Sequence, residues 1–315
     1  MMAHTMTSLE LESGDAIAVQ GLCKSFDGRQ VVRDLSLRIG RGQICGFLGP
    51  NGSGKTTAIR MMCGLLRPDA GSGQCLGYDL RRDVARIKPR IGYMTQKFTL
   101  YDDLSIQENL AFFCRMHHLP DRAQALECAL ARFHLMERRK QLAGTLSGGW
   151  KQRLALAACT IHEPGLLLLD EPTAGVDPKS RQEFWEHIRQ IAEGGVSILV
   201  STHYMDEAER CNRIAYLSYG NLLAFDTPEA LLAGSGLNVY SRPLAAGNLS
   251  ARETAHPGVV RITQSGNQLR VVLRATHVPD SPQLTADQGW LVQQPSLEDV
   301  FFQRLQQSDA SPAAN

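Results

Sequence analysis

The sequence predicts an α/β fold built on a parallel sheet, followed by a small α+β C-terminal accessory domain. Three observations carry this expectation. From Ala16 to about Ser218, short β-rich runs alternate with helical patterns. Several of those runs are wholly apolar, as strands covered on both faces of a sheet must be. After Asp226 the pattern changes to two paired strands and a terminal helix.

The elements follow in order. Ile44 to Leu48 (ICGFL) reads as a buried strand, and it runs through a glycine-rich loop into the helical stretch TTAIRMMCGLL. Asp121 followed by Gln124 can form a capping box, and Leu126, Leu130 and Phe133 then share one core-facing helical side. Leu166 to Leu169 and Ile198 to Val200 read as two more buried strands. In VVRITQSGNQLRVVLR, residues 259 to 274, two strands meet at a Ser-Gly-Asn turn. Ser296 with Asp299 can cap a terminal helix, LEDVFFQRL, and the small polar residues 308–315 read as a disordered tail.

Composition narrows the function classes. A chain of 315 residues, 43% hydrophobic, supports one large and one small domain. With 33 basic and 32 acidic residues the net charge is +1, so nucleic acid is not an expected partner. Glu10, Glu12 and Asp15 stand where a secretion signal needs an apolar core, and no run approaches the roughly 18 apolar residues of a membrane span. The expectation is a protein with no signal peptide or transmembrane segment that stays in the cytosol unless a partner docks it. The eight cysteines form no CxxC pair and read as reduced, buried thiols rather than disulfides or zinc ligands.

Several segments carry phosphate chemistry. GPNGSGKT, comprising Gly49, Pro50, Asn51, Gly52, Ser53, Gly54, Lys55 and Thr56, fits the Walker A pattern, with Thr57 next in the helix. Its backbone must curl until successive N–H groups face a phosphate, a geometry that Cβ atoms obstruct, and the following helix adds its positive end. Lys55 would reach the β- and γ-phosphates, and the Thr56 hydroxyl would bind Mg²⁺. In LLLLDEPTAGVD two acids follow a buried strand, at the edge where open α/β sheets bind ligands. Asp170 is placed to hold Mg²⁺, and Glu171 to orient and polarise the attacking water. His203 ends the next strand and would contact the γ-phosphate. Gln96 also ends a short β-like run, and its amide can reach the metal or the water. Phe26 reads either as an aromatic stacked on adenine or as a core side chain.

In this order, with the loop LSGGW at Leu146 to Trp150 and GVD at 175–177, these motifs resemble the nucleotide-binding subunit of ATP-binding cassette (ABC) transporters over roughly residues 16 to 225. The resemblance implies a P-loop NTPase core, residues 16–226, with a helical subdomain at about 98–162. An N-terminal extension (1–15) precedes it and the accessory domain (227–307) follows. It implies ATP and Mg²⁺, with Glu171, His203, Lys55 and Gln96 catalytic and Thr56, Gln96 and Asp170 around the metal. It also implies that a second glycine loop serves a second subunit: Ser147, Gly148 and Gly149 would close over the γ-phosphate held by the partner's Walker A, next to the D-loop Asp177. A homodimer is the simpler expectation, since one chain carries every motif. KFTLYDDLSIQENLAFF, where family members receive the coupling helices of their permeases, has Ile106, Leu110 and Phe113 at core spacing. With STHYMDEAERC and PSLEDVFFQRL it is similar to the type 2 exporter branch, which includes bacterial drug-resistance ATPases. The implied partners are transmembrane permease chains, placing the protein at the cytoplasmic face of the inner membrane. One departure stands out: Trp150 occupies the place where glutamine usually ends the signature. The alternatives are a soluble ABC ATPase acting on ribosomes or DNA, and a regulator that binds nucleotide with little turnover.

Overall fold

The computed structural model describes residues 14–97, 99–244, 258–275 and 289–310. Most of the expected N-terminal extension and the last five residues of the expected tail lie outside them. The chain opens with two long strands, β1 (Asp15–Phe26) and β2 (Arg29–Gly40), then β3 (Ile44–Leu48) and α1 (Lys55–Met62). Next come β4 (Ala70–Cys75), β5 (Tyr78–Asp79), the short α2 (Val84–Ile87) and β6 (Ile91–Met94). Three helices follow, α3 (Ile106–Met116), α4 (Arg122–Arg132) and α5 (Gly148–Thr160), before β7 (Leu166–Asp170), α6 (Pro178–Glu193), β8 (Ser197–Thr202) and α7 (Met205–Ala208). The rest comprises β9 (Arg213–Ser218), β10 (Asn221–Asp226), α8 (Pro228–Ala233), β11 (Leu237–Pro243), β12 (Val259–Ser265), β13 (Gln268–Arg274), β14 (Leu291–Gln293) and α9 (Leu297–Ala310).

The central sheet has six strands in the order β10-β9-β3-β8-β7-β6. All its pairs are parallel except the edge pair β9–β10. Its apolar runs alternate between two cores, as the period of a strand dictates. Leu167, Leu169, Ile198 and Val200 face the layer formed by α3 to α6, while Leu166, Leu168, Leu199, Cys45 and Phe47 face α1 and the antiparallel sheet β2-β1-β4-β5. The uninterrupted hydrophobicity of ICGFL, LLLL and ILV is therefore the sum of two buried faces.

Local signals account for the helix starts. Ser105 and Glu108 form a full capping box on α3. At α4 only half of the expected box exists, since Asp121 accepts from the Gln124 N–H and nothing returns from the Gln124 side chain. Leu130 and Phe133 are in the core as expected, with Leu126 partly buried. Ile106 and Leu110 are likewise fully buried, and Phe113 packs against the same cluster. The cysteine expectation needs one correction. All eight thiols are free and six are buried, but Cys23 is half-buried and Cys128, on the outer side of α4, is exposed.

The C-terminal strands form a separate antiparallel sheet, β12-β13-β11-β14, with the turn at Gly266–Asn267 where the sequence places it. Helix α9 joins this sheet to the central one. Val300 packs with Val239, Val260 and Val272 of the small sheet, while Leu297 and Phe301 pack with Ile214 and Tyr216 of β9. Asp299, wholly buried, accepts two hydrogen bonds from Arg270 at 2.5 and 2.6 Å and two from Ser296. Burial alone would raise its pKa, and those hydrogen bonds outweigh burial and lower it. The helix continues to Ala310, so the first three residues expected in the tail are helical. No helix among the described residues is long and apolar enough to cross a membrane.

Two histidines in the helical layer make stability pH-dependent. His162 stacks on His117 at 3.8 Å, and His187 lies 5.4 Å from the Phe133 ring. Burial, reinforced by neighbouring cations, pushes both down to about 4. An unfolded histidine titrates near ~6.5, so between those values the unfolded chain binds more protons. Their contribution is complete above the unfolded value and is lost as pH falls toward 4. The melting temperature is expected to drop between pH 7 and pH 5, and replacing both by glutamine should flatten that slope.

Candidate nucleotide site

The site forms where β3, β8, β7 and β6, adjacent in the sheet, all end. Each supplies one part: the loop after Leu48, the Ser201–His203 segment, Asp170 with Glu171, and Gln96. The first turn after β3 requires glycine. Gly49 has φ +152, and a Cβ there would stand 2.1 Å from the Leu217 carbonyl oxygen. Pro50, Asn51 and Gly52 are exposed at the loop crest, Ser53, Gly54 and Lys55 are buried, and Thr56 and Thr57 are half-buried in the first turn of α1. The Lys55 ammonium donates to the carbonyls of Gly49 (2.8 Å) and Pro50 (3.1 Å), so it lies within the curl of its own loop. Burial lowers its pKa, while Glu171 and Asp170 act the other way.

The acids and their neighbours meet as the sequence places them. The Thr56 hydroxyl lies 3.1 and 3.2 Å from the two oxygens of Asp170. Gln96 Nε2 donates to Glu171 Oε2 at 3.0 Å, and His203 Nδ1 lies 3.6 Å from that same oxygen. Glu171 adopts φ +46, a left-handed conformation uncommon outside glycine. Phe26 is 44% exposed at the end of β1, with the Lys24 ammonium 5.5 Å from its ring, so it is not a core residue.

The structure also shows participants that the motifs do not announce. Ser201 donates to Asp170 Oδ1 at 2.6 Å and accepts from the Glu171 N–H at 3.0 Å, fixing both acids from the neighbouring strand. Its position before Thr202 and His203 at a strand end was the available signal. The hydrogen donors and acceptors of Thr56 and Asp170 are hard oxygens, a hydroxyl beside a carboxylate. This set suits Mg²⁺, which takes one or two carboxylates and leaves other positions to water and phosphate.

The second glycine loop is built differently. Ser147 and Gly148 are exposed at the start of α5, and the Ser147 side chain makes no capping bond to the helix it precedes. The start of α5 thus lies exposed without a side-chain cap, and free N–H groups at a helix start can receive anions. No hydrogen bond among the described residues joins 147–149 to the Walker A loop. Asp177 is exposed as well and caps α6 by accepting from the Ser180 N–H; the Ser180 side chain first, and this N–H second, lower its pKa. Trp150 packs against the helical core with two guanidinium groups over its ring, Arg138 at 4.6 Å and Arg153 at 4.5 Å.

Gly149 has a packing role. A Cβ at this position would meet Ser180 Oγ at 2.5 Å and Cβ at 2.6 Å, so glycine lets the start of α5 approach the start of α6. Gly149→Ala should gain roughly 1 kcal/mol of helix propensity and lose about 1–3 kcal/mol to overpacking. The expected net result is a less stable chain in urea unfolding, restored in Gly149→Ala/Ser180→Gly.

Comparison with known proteins identifies the family. Residues 32–174 match the ABC transporter family. The chain is 44% identical over 234 residues to the probable multidrug ABC transporter ATP-binding protein YbhF of Escherichia coli, covering 74% of this chain and only 40% of YbhF. It is 32% identical over 329 residues to the daunorubicin resistance ATP-binding protein DrrA2 of Streptomyces coeruleorubidus, covering 96% of this chain and 99% of DrrA2. Among solved structures, cbiO1 of Clostridium perfringens, part of the ABC transporter complex cbiONQ, superposes with a TM-score of 0.66 at 25% identity, over 70% of this chain and 92% of cbiO1. A P-loop fold, the converging motif residues and near full-length similarity to an ATP-binding relative lead to one assignment: the chain belongs to the ABC transporter family, among its ATP-binding proteins.

Proposed function

We propose that this chain is the ATP-hydrolysing subunit of an ABC export complex, with drug efflux as the class of transport. The observation that carries the reading is the convergence of Gln96 and His203 on one carboxylate oxygen of Glu171, beside Thr56 and Asp170. Within it, Lys55 and the loop N–H groups bind the β- and γ-phosphates, and Phe26 stacks on adenine. Thr56 and Asp170, with Gln96 in reach, would hold Mg²⁺, which would supply positive charge against the phosphates. Glu171 accepts a hydrogen bond from the attacking water and begins to take its proton. His203 faces the γ-phosphate, and Gln96 holds the Glu171 carboxylate in line.

The exposed signature supports a shared site. A second copy of the chain, paired head to tail, would place its Ser147, Gly148 and Gly149 on the phosphate bound here, with Asp177 beside them. Closing and opening of the pair then works on membrane permease chains at the cytoplasmic face of the inner membrane, to which the protein is peripherally bound. The same reading assigns 16–226 to the ATP-binding domain, about 98–162 to its helical subdomain, and 227–307 to a regulatory or dimer-supporting accessory domain.

Relatives named for multidrug transport and for daunorubicin resistance favour export over a soluble ATPase acting on ribosomes or DNA. Affinity purification of the tagged chain from detergent-solubilised membranes tests the reading. The expected result is co-purification of a multi-spanning membrane protein in stoichiometric amount. Recovery only with ribosomes or DNA would overturn it.

A further inference from the structure

Glu207 lies within STHYMDEAERC but is given no role above, yet its carboxylate ties the two halves of the hydrolytic site together. It is 1% exposed, and each oxygen holds a different loop. Oε1 accepts from the hydroxyl of Thr173, two residues after Glu171 and itself buried. Oε2 accepts from the hydroxyl of Thr202 at 2.6 Å, and Thr202 Oγ1 in turn accepts from the Tyr204 N–H at 3.0 Å. These two bonds bracket His203 on both sides. A buried carboxylate whose partners come from separate loops fixes the distance between those loops, because losing either bond leaves charge unsatisfied away from water.

A third element reaches the same carboxylate. Arg181 stands one helical turn after Asp177, and its N–H bonds the Asp177 carbonyl at 2.9 Å. Its guanidinium lies over the Tyr204 ring at 4.3 Å, with Nε 3.7 Å from Glu207 and Nη1 3.7 Å from Asp206. Nε is buried and makes no hydrogen bond, so the guanidinium is close to Glu207 without being bonded to it. The start of α6, which carries Asp177, therefore adjoins the group that sets Glu171 against His203.

We propose that Glu207 is a positioning residue for ATP cleavage: it holds the Glu171 turn and the His203 strand end in register, and Arg181 links that register to the Asp177 end of α6. The proposal rests on the roles given to Glu171 and His203 above. It touches neither nucleotide nor metal directly, so its loss should act on turnover rather than on binding.

The test compares full-length wild type, Glu207→Gln, Thr173→Val and Thr202→Val for melting temperature, ATP affinity and steady-state hydrolysis. The isosteric threonine variants keep the test open should Glu207→Gln unfold. In folded variants kcat is expected to fall about tenfold or more while KM and the affinity for ATP change by less than about threefold. A second readout separates positioning from general softening: in a His203→Ala background, Thr202→Val should cost almost nothing further, since the register it protects no longer has a function. Wild-type kcat in all three variants, or losses that multiply fully with His203→Ala, would overturn the proposal. Failure of the underlying reading looks different, since Glu171→Gln and His203→Ala would then be as active as wild type.

Discussion

Glu171→Gln is expected to bind ATP as wild type does and to hydrolyse it roughly 100- to 10,000-fold more slowly, the range for loss of a positioned general base. The substitution keeps shape and keeps an oxygen that can accept from Gln96, which now bonds Glu171 Oε2 at 3.0 Å. What it removes is the charge and basicity aimed at water. Binding should survive because the phosphate contacts come from the Gly49–Thr56 loop and Lys55, none of which depends on the Glu171 side chain for position. Equilibrium binding of a fluorescent ATP analogue, measured beside phosphate release, separates the two quantities. A variant hydrolysing within a few-fold of wild type would remove Glu171 from the chemistry.

Ser147→Arg is expected to abolish turnover by at least about 100-fold while leaving folding and ATP binding intact. Ser147 is exposed and does not cap α5 through its side chain, so an isolated subunit loses nothing measurable when it changes. In a head-to-tail pair, a long cation there would occupy the space of the phosphate bound by the partner. The arrangement makes a sharper consequence. A mixed pair of Ser147→Arg and Glu171→Gln has one site carrying both defects and one with neither. Equal mixing of two inactive proteins should therefore restore on the order of a quarter of the wild-type rate for random pairing of a symmetric dimer. A mixture as inactive as its components would contradict a shared site.

What was legible in the sequence was whatever local spacing decides. Gly49 to Thr56, Asp170 with Glu171, and His203 each follow an apolar run, and the run's burial on both faces fixes where its end must lie. The strands run past their apolar cores where polar groups extend them, by Asp170 in β7 and by Ser197, Ser201 and Thr202 in β8. Contacts made across the sheet were not legible. Ser201 bonds Asp170 across 31 residues and Glu207 bonds Thr173 across 34, separations that no periodicity encodes. Cys128 was misplaced because cysteine composition favours burial on average, whereas α4 turns this one outward. Phe26, left open between base and core, is exposed at a strand end, and two guanidinium groups, those of Arg138 and Arg153, lie over the Trp150 ring. For Ser201 and Glu207 the deciding fact is a partner distant in sequence.

The central claim is that one subunit holds nucleotide and two are needed to cleave it. The most direct measurement is the ATP hydrolysis rate per molecule of the wild-type chain as a function of its concentration, with oligomeric state followed in parallel. The account predicts a rate near zero in the dilute monomeric limit that rises to a plateau as dimer forms. A brisk rate per molecule that stays constant on dilution into strictly monomeric protein would contradict it.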